Sequence, residues 1–203
     1  MKTDYKTSKY LVPLFFYALL ISIVFTLNLF LPWQYVISVS ALLMLSIPLV
    51  LKADMNDLGW DLRGVLLGVA VSAVILLIYL AVLAAYGFFY GKTLTLNNLS
   101  FSFILLQLFL VALPEEVFFR GYLQQKIGNS IKGIIIVSLL FALGHFVTLC
   151  LGGGHGLAVC SQAVLTFFPS LVMGYLYYVT GTLWASILFH FLANLVHISV
   201  GLS

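Results

Sequence analysis

The chain has 203 residues, of which 63% are hydrophobic and only 7% are charged, and its formal net charge is +3. Soluble domains are about half apolar and about a quarter charged, so nine Lys and Arg and six Asp and Glu residues cannot cover the surface of a soluble protein of this size. This composition excludes a cytosolic enzyme, a nucleic-acid-binding protein and a disordered chain. It predicts an all-α, polytopic transmembrane helical bundle whose main surroundings are the lipid bilayer.

The apolar segments and the breaks between them predict about seven spans in a single transmembrane domain, residues 1–203. The first segment, Tyr10–Leu31, is too long for a signal-peptide core and shows no small-residue cleavage site, which predicts a retained first span. Residues 32–35 are predicted as an interfacial turn and residues 87–98 as a loop. The other spans are predicted over Val36–Leu51, Gly64–Tyr86, Leu99–Gln125, Ile131–Leu149, Leu157–Val179, kinked at Pro169, and Thr182–Leu202.

The basic residues predict the orientation of the chain. With seven alternating spans and a cytoplasmic N-terminus, only Lys92 among the nine basic residues falls outside. Such a bias is typical of cytoplasmic loops, so we expect a multi-pass protein of the cell membrane with an extracytoplasmic C-terminus. The residues expected on the cytoplasmic side are Lys2, Lys6, Lys9, Lys52, Arg63, Arg120, Lys126 and Lys132.

The two cysteines, Cys150 and Cys160, are too few for a disulfide framework or a zinc ribbon. They flank a glycine-rich loop between the fifth and sixth spans and could bridge across it, but we predict free thiols. His155, in the same loop, is predicted to be exposed.

Three polar clusters interrupt the apolar segments. Polar side chains are costly inside a membrane, and they therefore mark candidate functional sites. The clusters are Glu115, Glu116 and Arg120 in the fourth span, Phe141 and His145 in the fifth, and His190 and Asn194 in the seventh.

Helical spacing suggests how each cluster is used. Glu116 and Arg120 are four residues apart with the acid first, which favours an ion pair on one helix face. Glu115 lies about 100° further round the helix, so one carboxylate is tied in an ion pair and the other can act as a general base. His190 and Asn194 also project together, and their hydrogen-bond donors suit a developing oxyanion.

Each cluster taken singly also has a structural explanation. An intramembrane Glu–Arg pair often serves only to hold helices together, and a lone buried histidine such as His145 is more often packed and hydrogen-bonded than catalytic. His197 lies near the helix face of His190 and is predicted to line the bundle. For straight, upright helices rising about 1.5 Å per residue, Glu115, His145 and His190 lie at different depths, so a shared site requires tilted or broken helices.

The motifs Glu-Glu-x-x-x-Arg, Phe-x-x-x-His and His-x-x-x-Asn, in this order on separate hydrophobic helices, resemble the CAAX-protease and bacteriocin-processing family of glutamic-type intramembrane endopeptidases. The resemblance extends from Leu99 to the C-terminus and predicts a catalytic core over residues 99–203. The segment Phe118–Leu123 is similar to the usual surroundings of the first motif. The size and the seven-span layout look like the prokaryotic branch of the family.

The resemblance implies four catalytic residues in two roles: water activation by Glu115 and His145, and oxyanion binding by His190 and Asn194. The supporting residues that it implies are Glu116, Arg120 and Phe141. It also implies no covalent intermediate and no obligatory metal or other cofactor. The implied partner is a membrane-anchored protein or peptide substrate, cleaved in maturation, in sorting of C-terminally anchored proteins, or in bacteriocin processing or immunity.

Two other functions fit the same residues. Glu115, His145 and His190 supply three ligands that, with water, make a usual catalytic zinc set, although no His-Glu-x-x-His helix is present. The second alternative is a non-catalytic membrane protein, such as an immunity factor, a peptide-binding protein or a small transporter. A transporter usually shows inverted repeats or paired broken helices, and the sequence shows neither.

Overall fold

The structure is a computed structural model that describes residues 4–51, 62–152 and 156–202. Within these residues the chain forms seven helices, and the first six are long and apolar enough to cross a membrane. The seventh is a shorter apolar helix. The prediction of an all-α polytopic bundle is therefore confirmed. The helices are α1 (Asp4–Phe30), α2 (Trp33–Val50), α3 (Val65–Tyr90), α4 (Phe101–Ile127), α5 (Ile131–Gly152), α6 (Leu157–Thr180) and α7 (Leu183–Ser199).

Two predicted boundaries are wrong. Helix α7 ends before Val200, because the chain continues as a short strand, β2 (Val200–Leu202), that pairs antiparallel with β1 (Leu94–Leu96) in the predicted loop after α3. The backbone N–H of Asn97 donates to the carbonyl of Ser199 (2.7 Å), which satisfies an acceptor at the helix end. The predicted turn over residues 32–35 lies instead mostly inside α2, which begins at Trp33.

Helix α4 departs from regular α-helical geometry on both sides of the two glutamates. It has π-helical hydrogen bonding over Gln107–Ala112 and again over Val117–Gln124, with one α-helical stretch, Leu113–Glu116, between them. Pro114 lies in this stretch and lacks the N–H that an uninterrupted α-helix requires. Helix α5 also changes to π geometry directly after His145. Such π turns occur frequently at functional sites.

Helix α6 is divided at Thr166 into Leu157–Leu165 and Phe167–Thr180. The sequence predicts a kink at Pro169, but this proline lies in the first turn of the second segment, where its missing N–H leaves no helix hydrogen bond unmade. The break therefore falls just before the proline.

Helix α7 packs against α3, α4 and α6. Its approach to α3 is close at Gly68, where an added Cβ would lie 2.7 Å from the Cα of Ala185. On the other side of the bundle, α1 holds α5 at two points. The hydroxyl of Tyr17 donates to the carbonyl of Leu140 (2.7 Å), and the amide of Asn28 donates to the carbonyl of Thr148 (3.0 Å). The two hydrogen bonds lie on either side of the turn of α5 that carries His145.

Cys150 and Cys160 form a disulfide, so the prediction of free thiols is wrong. The last turn of α5 and the first turn of α6 bring the two Cα atoms to 4.7 Å, a separation that a disulfide can span. The prediction that His155 is exposed lies outside the described residues.

Arg120, one of the residues predicted on the cytoplasmic side, is fully buried in the bundle and therefore adds no charge to a loop. Lys126 and Lys132 are exposed at the turn between α4 and α5, and Lys92 is exposed beyond α3, at the opposite end of the bundle. The structure does not describe the side chains of the other five basic residues, so the predictions for them lie outside the described residues: Lys2, Lys6, Lys9, Lys52 and Arg63.

Candidate active site

Glu116 and Arg120 form a fully buried ion pair inside the bundle. Arg120 Nη1 lies 3.2 Å from Glu116 Oε1, as the four-residue spacing suggests. Arg120 Nη2 also donates to the hydroxyl (2.8 Å) and to the main-chain oxygen (3.0 Å) of Ser170 on α6. Buried charges require partners of this kind, so Arg120 both joins α4 to α6 through Ser170 and fixes the position of Glu116.

The same oxygen of Glu116 contacts His190 on α7, with Oε1 2.9 Å from Nδ1. Because an ionised carboxylate only accepts hydrogen bonds, the proton of this contact belongs to Nδ1. The other ring nitrogen, Nε2, lies 3.8 Å from Oε2 of Glu115. The histidine ring is therefore held between the two adjacent glutamates.

Glu115 differs from Glu116 in its surroundings. Oε2 of each of the two carboxylates is buried and accepts no hydrogen bond from the described part of the chain, so this atom does not distinguish them. The Glu115 side chain keeps 16% of its exposure, whereas that of Glu116 has none. The difference is thus that Oε1 of Glu116 is held by Arg120 and His190 in a fully buried position, whereas the Glu115 side chain remains partly exposed.

Asn194 makes a second contact between α7 and α4. Its Nδ2 donates to Oε1 of Gln107 (3.2 Å), a side chain that is only 7% exposed. Gln107 lies on α4 roughly two turns before Glu115, and the sequence analysis missed it. A signal was present, because Gln107 is a polar residue within an apolar segment, the criterion that identified the other clusters.

Phe141 and His145 supply the α5 side of the site. Nδ1 of His145 lies 3.0 Å from the main-chain oxygen of Phe141 and donates to it, which leaves Nε2 as the available nitrogen. The Phe141 ring packs 4.4 Å from the His145 ring and 6.0 Å from the His190 ring, and the Arg120 guanidinium lies 5.0 Å from its centroid. No hydrogen bond or ion pair among the described residues joins His145 directly to Glu115.

A cavity of about 500 Å³ opens between α3, α5, α6 and α7, with Val111 of α4 also in its wall, whereas Glu115 is not among its lining residues. The cavity is lined by His145, His190 and Asn194. It is also lined by His197, which was predicted from the sequence only to line the bundle. Most of the remaining walls are apolar: Ile75, Leu76, Val111, Phe141, Leu165, Phe168, Pro169, Val172, Met173, Phe189 and Ala193.

The zinc alternative depends on whether Glu115, His145 and His190 converge as ligands. Among the described residues, no group of three or more His, Cys, Asp or Glu side chains is arranged to hold a metal ion. The three side chains therefore do not form the ligand set that this alternative requires.

The fold and the site together define a multi-pass membrane protein with carboxylates and histidines gathered inside its helical bundle. Residues 97–196 match the family described as Rce1-like, type II CAAX prenyl endopeptidase, and this segment contains all the predicted site residues. Through this segment, which is about half of the chain, the protein is similar to the CAAX protease family, a family of proteases that hydrolyse peptide bonds. No curated protein and no solved structure gives a match.

Proposed function

We propose that the protein is a glutamic-type intramembrane endopeptidase in which Glu115 activates a water molecule. The observation that carries this proposal is the contrast between the two adjacent glutamates. Glu116 is fully buried and its Oε1 is held by Arg120 and His190, whereas the Glu115 side chain is 16% exposed and its Oε2 lies 3.8 Å from Nε2 of His190. A general base must be within reach of the attacking water, and of the two carboxylates only Glu115 has any exposed surface.

In the proposed reaction Glu115 takes a proton from water, and His145 helps to orient that water. The hydroxide attacks the carbonyl carbon of the peptide bond, which forms a C–O bond and an oxyanion. His190 Nε2–H and the Asn194 amide donate to the oxyanion. When the C–N bond breaks, the leaving nitrogen takes the proton held by Glu115, so no covalent intermediate forms.

The role of His190 in this scheme sets its protonation state. Nδ1–H already donates to Glu116, so a donor on Nε2 requires protons on both ring nitrogens. The imidazolium formed in this way lies between two carboxylates, which balance its charge. Asn194 keeps a second amide hydrogen for the oxyanion, because only one is directed to Gln107.

The cavity supports a substrate with a hydrophobic segment. Its walls are mainly apolar, and they include residues of α3, a helix whose outer side chains are exposed on the bundle surface. In a bilayer such a surface contacts lipid, so a membrane-anchored protein or peptide reaches the cavity most directly. We propose such a substrate for this chain, in protein maturation, anchor sorting or bacteriocin processing or immunity in a prokaryotic setting.

We propose a cytoplasmic N-terminus and an extracytoplasmic C-terminus. Lys126 and Lys132 lie at one end of α5, and the Cys150–Cys160 disulfide lies at the other. Basic residues are retained on the cytoplasmic side, and disulfides persist in oxidising compartments outside it. Both features support the same orientation.

The test is cleavage of a membrane-anchored peptide by the purified protein in lipid vesicles. We expect Glu115→Gln to lose more activity than the factor of about 10²–10³ that removal of one oxyanion donor costs, and His145→Ala to lose activity as well. Unfolding temperatures of both variants must stay near the wild-type value. Full activity in either variant would exclude this mechanism.

The same variants separate the alternatives. If Glu115→Gln keeps the biological activity of the protein in cells, a non-catalytic immunity or binding role is correct. If a chelator abolishes cleavage and zinc restores it, the reaction is zinc-dependent.

A further inference from the structure

We propose that Tyr79 and His197 form a substrate-binding subsite that holds the main chain of the peptide away from the bond that is cut. This inference rests on the proposed function, because it names how the cavity holds its substrate. The Tyr79 hydroxyl lies 3.2 Å from Nδ1 of His197, and both side chains line the cavity. Both also lie outside the segment 97–196 that matches the family, so they belong to none of its three motifs.

The placement of polar groups in the cavity points to the main chain. His190, Asn194 and His197 lie on successive turns of α7, and all three line the cavity, whereas the α3 and α6 walls are mostly apolar. Inside a membrane, peptide N–H and C=O groups need polar partners. An extended peptide with its main chain along α7 and its apolar side chains toward α3 and α6 satisfies both requirements.

The spacing along α7 sets the position of the subsite on the substrate. His197 lies roughly 10 Å along the helix from His190, at about 1.5 Å per residue. An extended chain rises about 3.3 Å per residue, so this distance corresponds to about three substrate residues. The subsite therefore contacts the main chain about three residues from the scissile bond.

The chemistry of the pair identifies the group that it binds. When the Tyr79 hydroxyl donates to Nδ1, the proton of neutral His197 resides on Nε2, which becomes a hydrogen-bond donor. His197 then donates to a main-chain carbonyl of the substrate. Tyr79 is a positioning residue, since it acts by fixing the ring and the tautomer of His197.

The first experiment measures cleavage kinetics with a membrane-anchored peptide. We expect His197→Ala to raise KM by about three- to tenfold with kcat unchanged, the loss that one neutral hydrogen bond produces. Tyr79→Phe raises KM by a smaller factor, and His197→Gln, which keeps a donor, restores part of the affinity. Tyr86→Phe, on the same helix but away from the cavity, is the matched control. An unchanged KM in His197→Ala, or an equal rise in Tyr86→Phe, overturns the subsite.

The second experiment alters the substrate. Peptides in which single peptide bonds are replaced by an alkene lack one carbonyl each. We expect the replacement about three residues from the cleaved bond to raise the KM of the wild type. The same replacement should leave the KM of His197→Ala unchanged. Equal penalties at that position in both proteins overturn the inference.

A binding measurement separates this inference from the proposed function. In the Glu115→Gln background, the Kd of a fluorescent peptide is compared with and without His197→Ala. If the wild type cleaves no peptide but Kd depends on His197, the endopeptidase proposal fails and the subsite stands. If the wild type cleaves but neither Kd nor KM depends on His197, the subsite fails and the endopeptidase proposal stands.

Discussion

Glu115 and Glu116 are adjacent in sequence, yet the bundle gives them opposite environments. Glu116 is fully buried against Arg120 and His190, and the Glu115 side chain is 16% exposed. The helical spacing predicts this division, because the i, i+4 rule pairs only Glu116 with Arg120. The contact between Glu116 and His190 could not be predicted, since it depends on how α4 and α7 meet in space.

The ion pair should have a large effect on stability. We expect Arg120→Met to lower the free energy of unfolding by about 3–5 kcal/mol, because it leaves the buried Glu116 charge without its partner. Glu115→Gln should have a much smaller effect, since its Oε2 has no hydrogen bond to lose. Thermal unfolding in detergent, followed by circular dichroism, measures both. The double variant Glu116→Gln, Arg120→Met should recover part of the loss, and equal losses in Arg120→Met and Glu115→Gln would contradict the assignment.

Gln107 should act through Asn194. We expect Gln107→Met to lower kcat by about tenfold, a part of the 10²–10³ that removal of an oxyanion donor costs, because the Asn194 amide loses its acceptor and its orientation. KM should change little, and Gln107→Glu, which supplies an acceptor oxygen, should restore part of kcat. Gln34→Met, at an exposed position on α2, is the control. A Gln107→Met protein with wild-type kcat would show that the contact does not position Asn194.

At the scale of the elements, the helices were predictable and their irregularities were not. Long apolar segments determine where spans begin and end to within a few residues, because each span must match the thickness of the bilayer. The π turns of α4 and α5 have no such sequence signature, apart from Pro114. They also bear on the different depths expected for Glu115, His145 and His190, which assume straight α-helices, whereas α4 and α5 are irregular and His145 and His190 line one cavity.

Close packing of α3 on α7 should be necessary for the cavity. We expect Gly68→Val to lower the free energy of unfolding by about 1–3 kcal/mol, the usual cost of overpacking, because its side chain would meet the Ala185 backbone. Cleavage should fall as well, since α3 carries Tyr79 and other cavity residues. Ala70→Val, at an exposed position two residues further along α3, is the control. If both variants unfold at the same temperature, the approach at Gly68 is not a tight one.

Neither the disulfide nor the pairing of β1 with β2 could be predicted from the sequence. Two cysteines beside a loop do not reveal whether the loop closes, and that depends on the last turn of α5 meeting the first turn of α6. Likewise, Val200–Leu202 continues an apolar segment in sequence, and only the presence of Leu94–Leu96 nearby makes it a strand.

At the scale of the whole molecule, the segment that matches the family does not form the site alone. Helix α1 precedes that segment and holds α5 through Tyr17 and Asn28, on either side of His145. Helix α3, also outside the segment, forms one wall of the cavity. The motifs therefore identify the chemistry, while the earlier helices give the cavity its shape.

The disulfide allows the orientation to be tested. We expect Cys150→Ser to leave Cys160 as a free thiol that a membrane-impermeant maleimide labels in intact cells, because the proposed orientation puts this loop outside. The free energy of unfolding should fall by at most about 3 kcal/mol, the usual contribution of a disulfide that closes a loop of this length. The wild type, with both cysteines bonded, should not be labelled until it is reduced. If Cys160 is labelled only after the membrane is permeabilised, the loop is cytoplasmic and the orientation is opposite to the proposed one.

His190, Asn194 and His197 all lie on α7, and their partners Glu116, Gln107 and Tyr79 lie on helices that precede it in sequence. A ribosome therefore releases six helices into the membrane before the groups that complete the cleft exist. With the catalytic roles proposed for His190 and Asn194, the growing polypeptide would not cut neighbouring proteins or itself until α7 is inserted beside its partners.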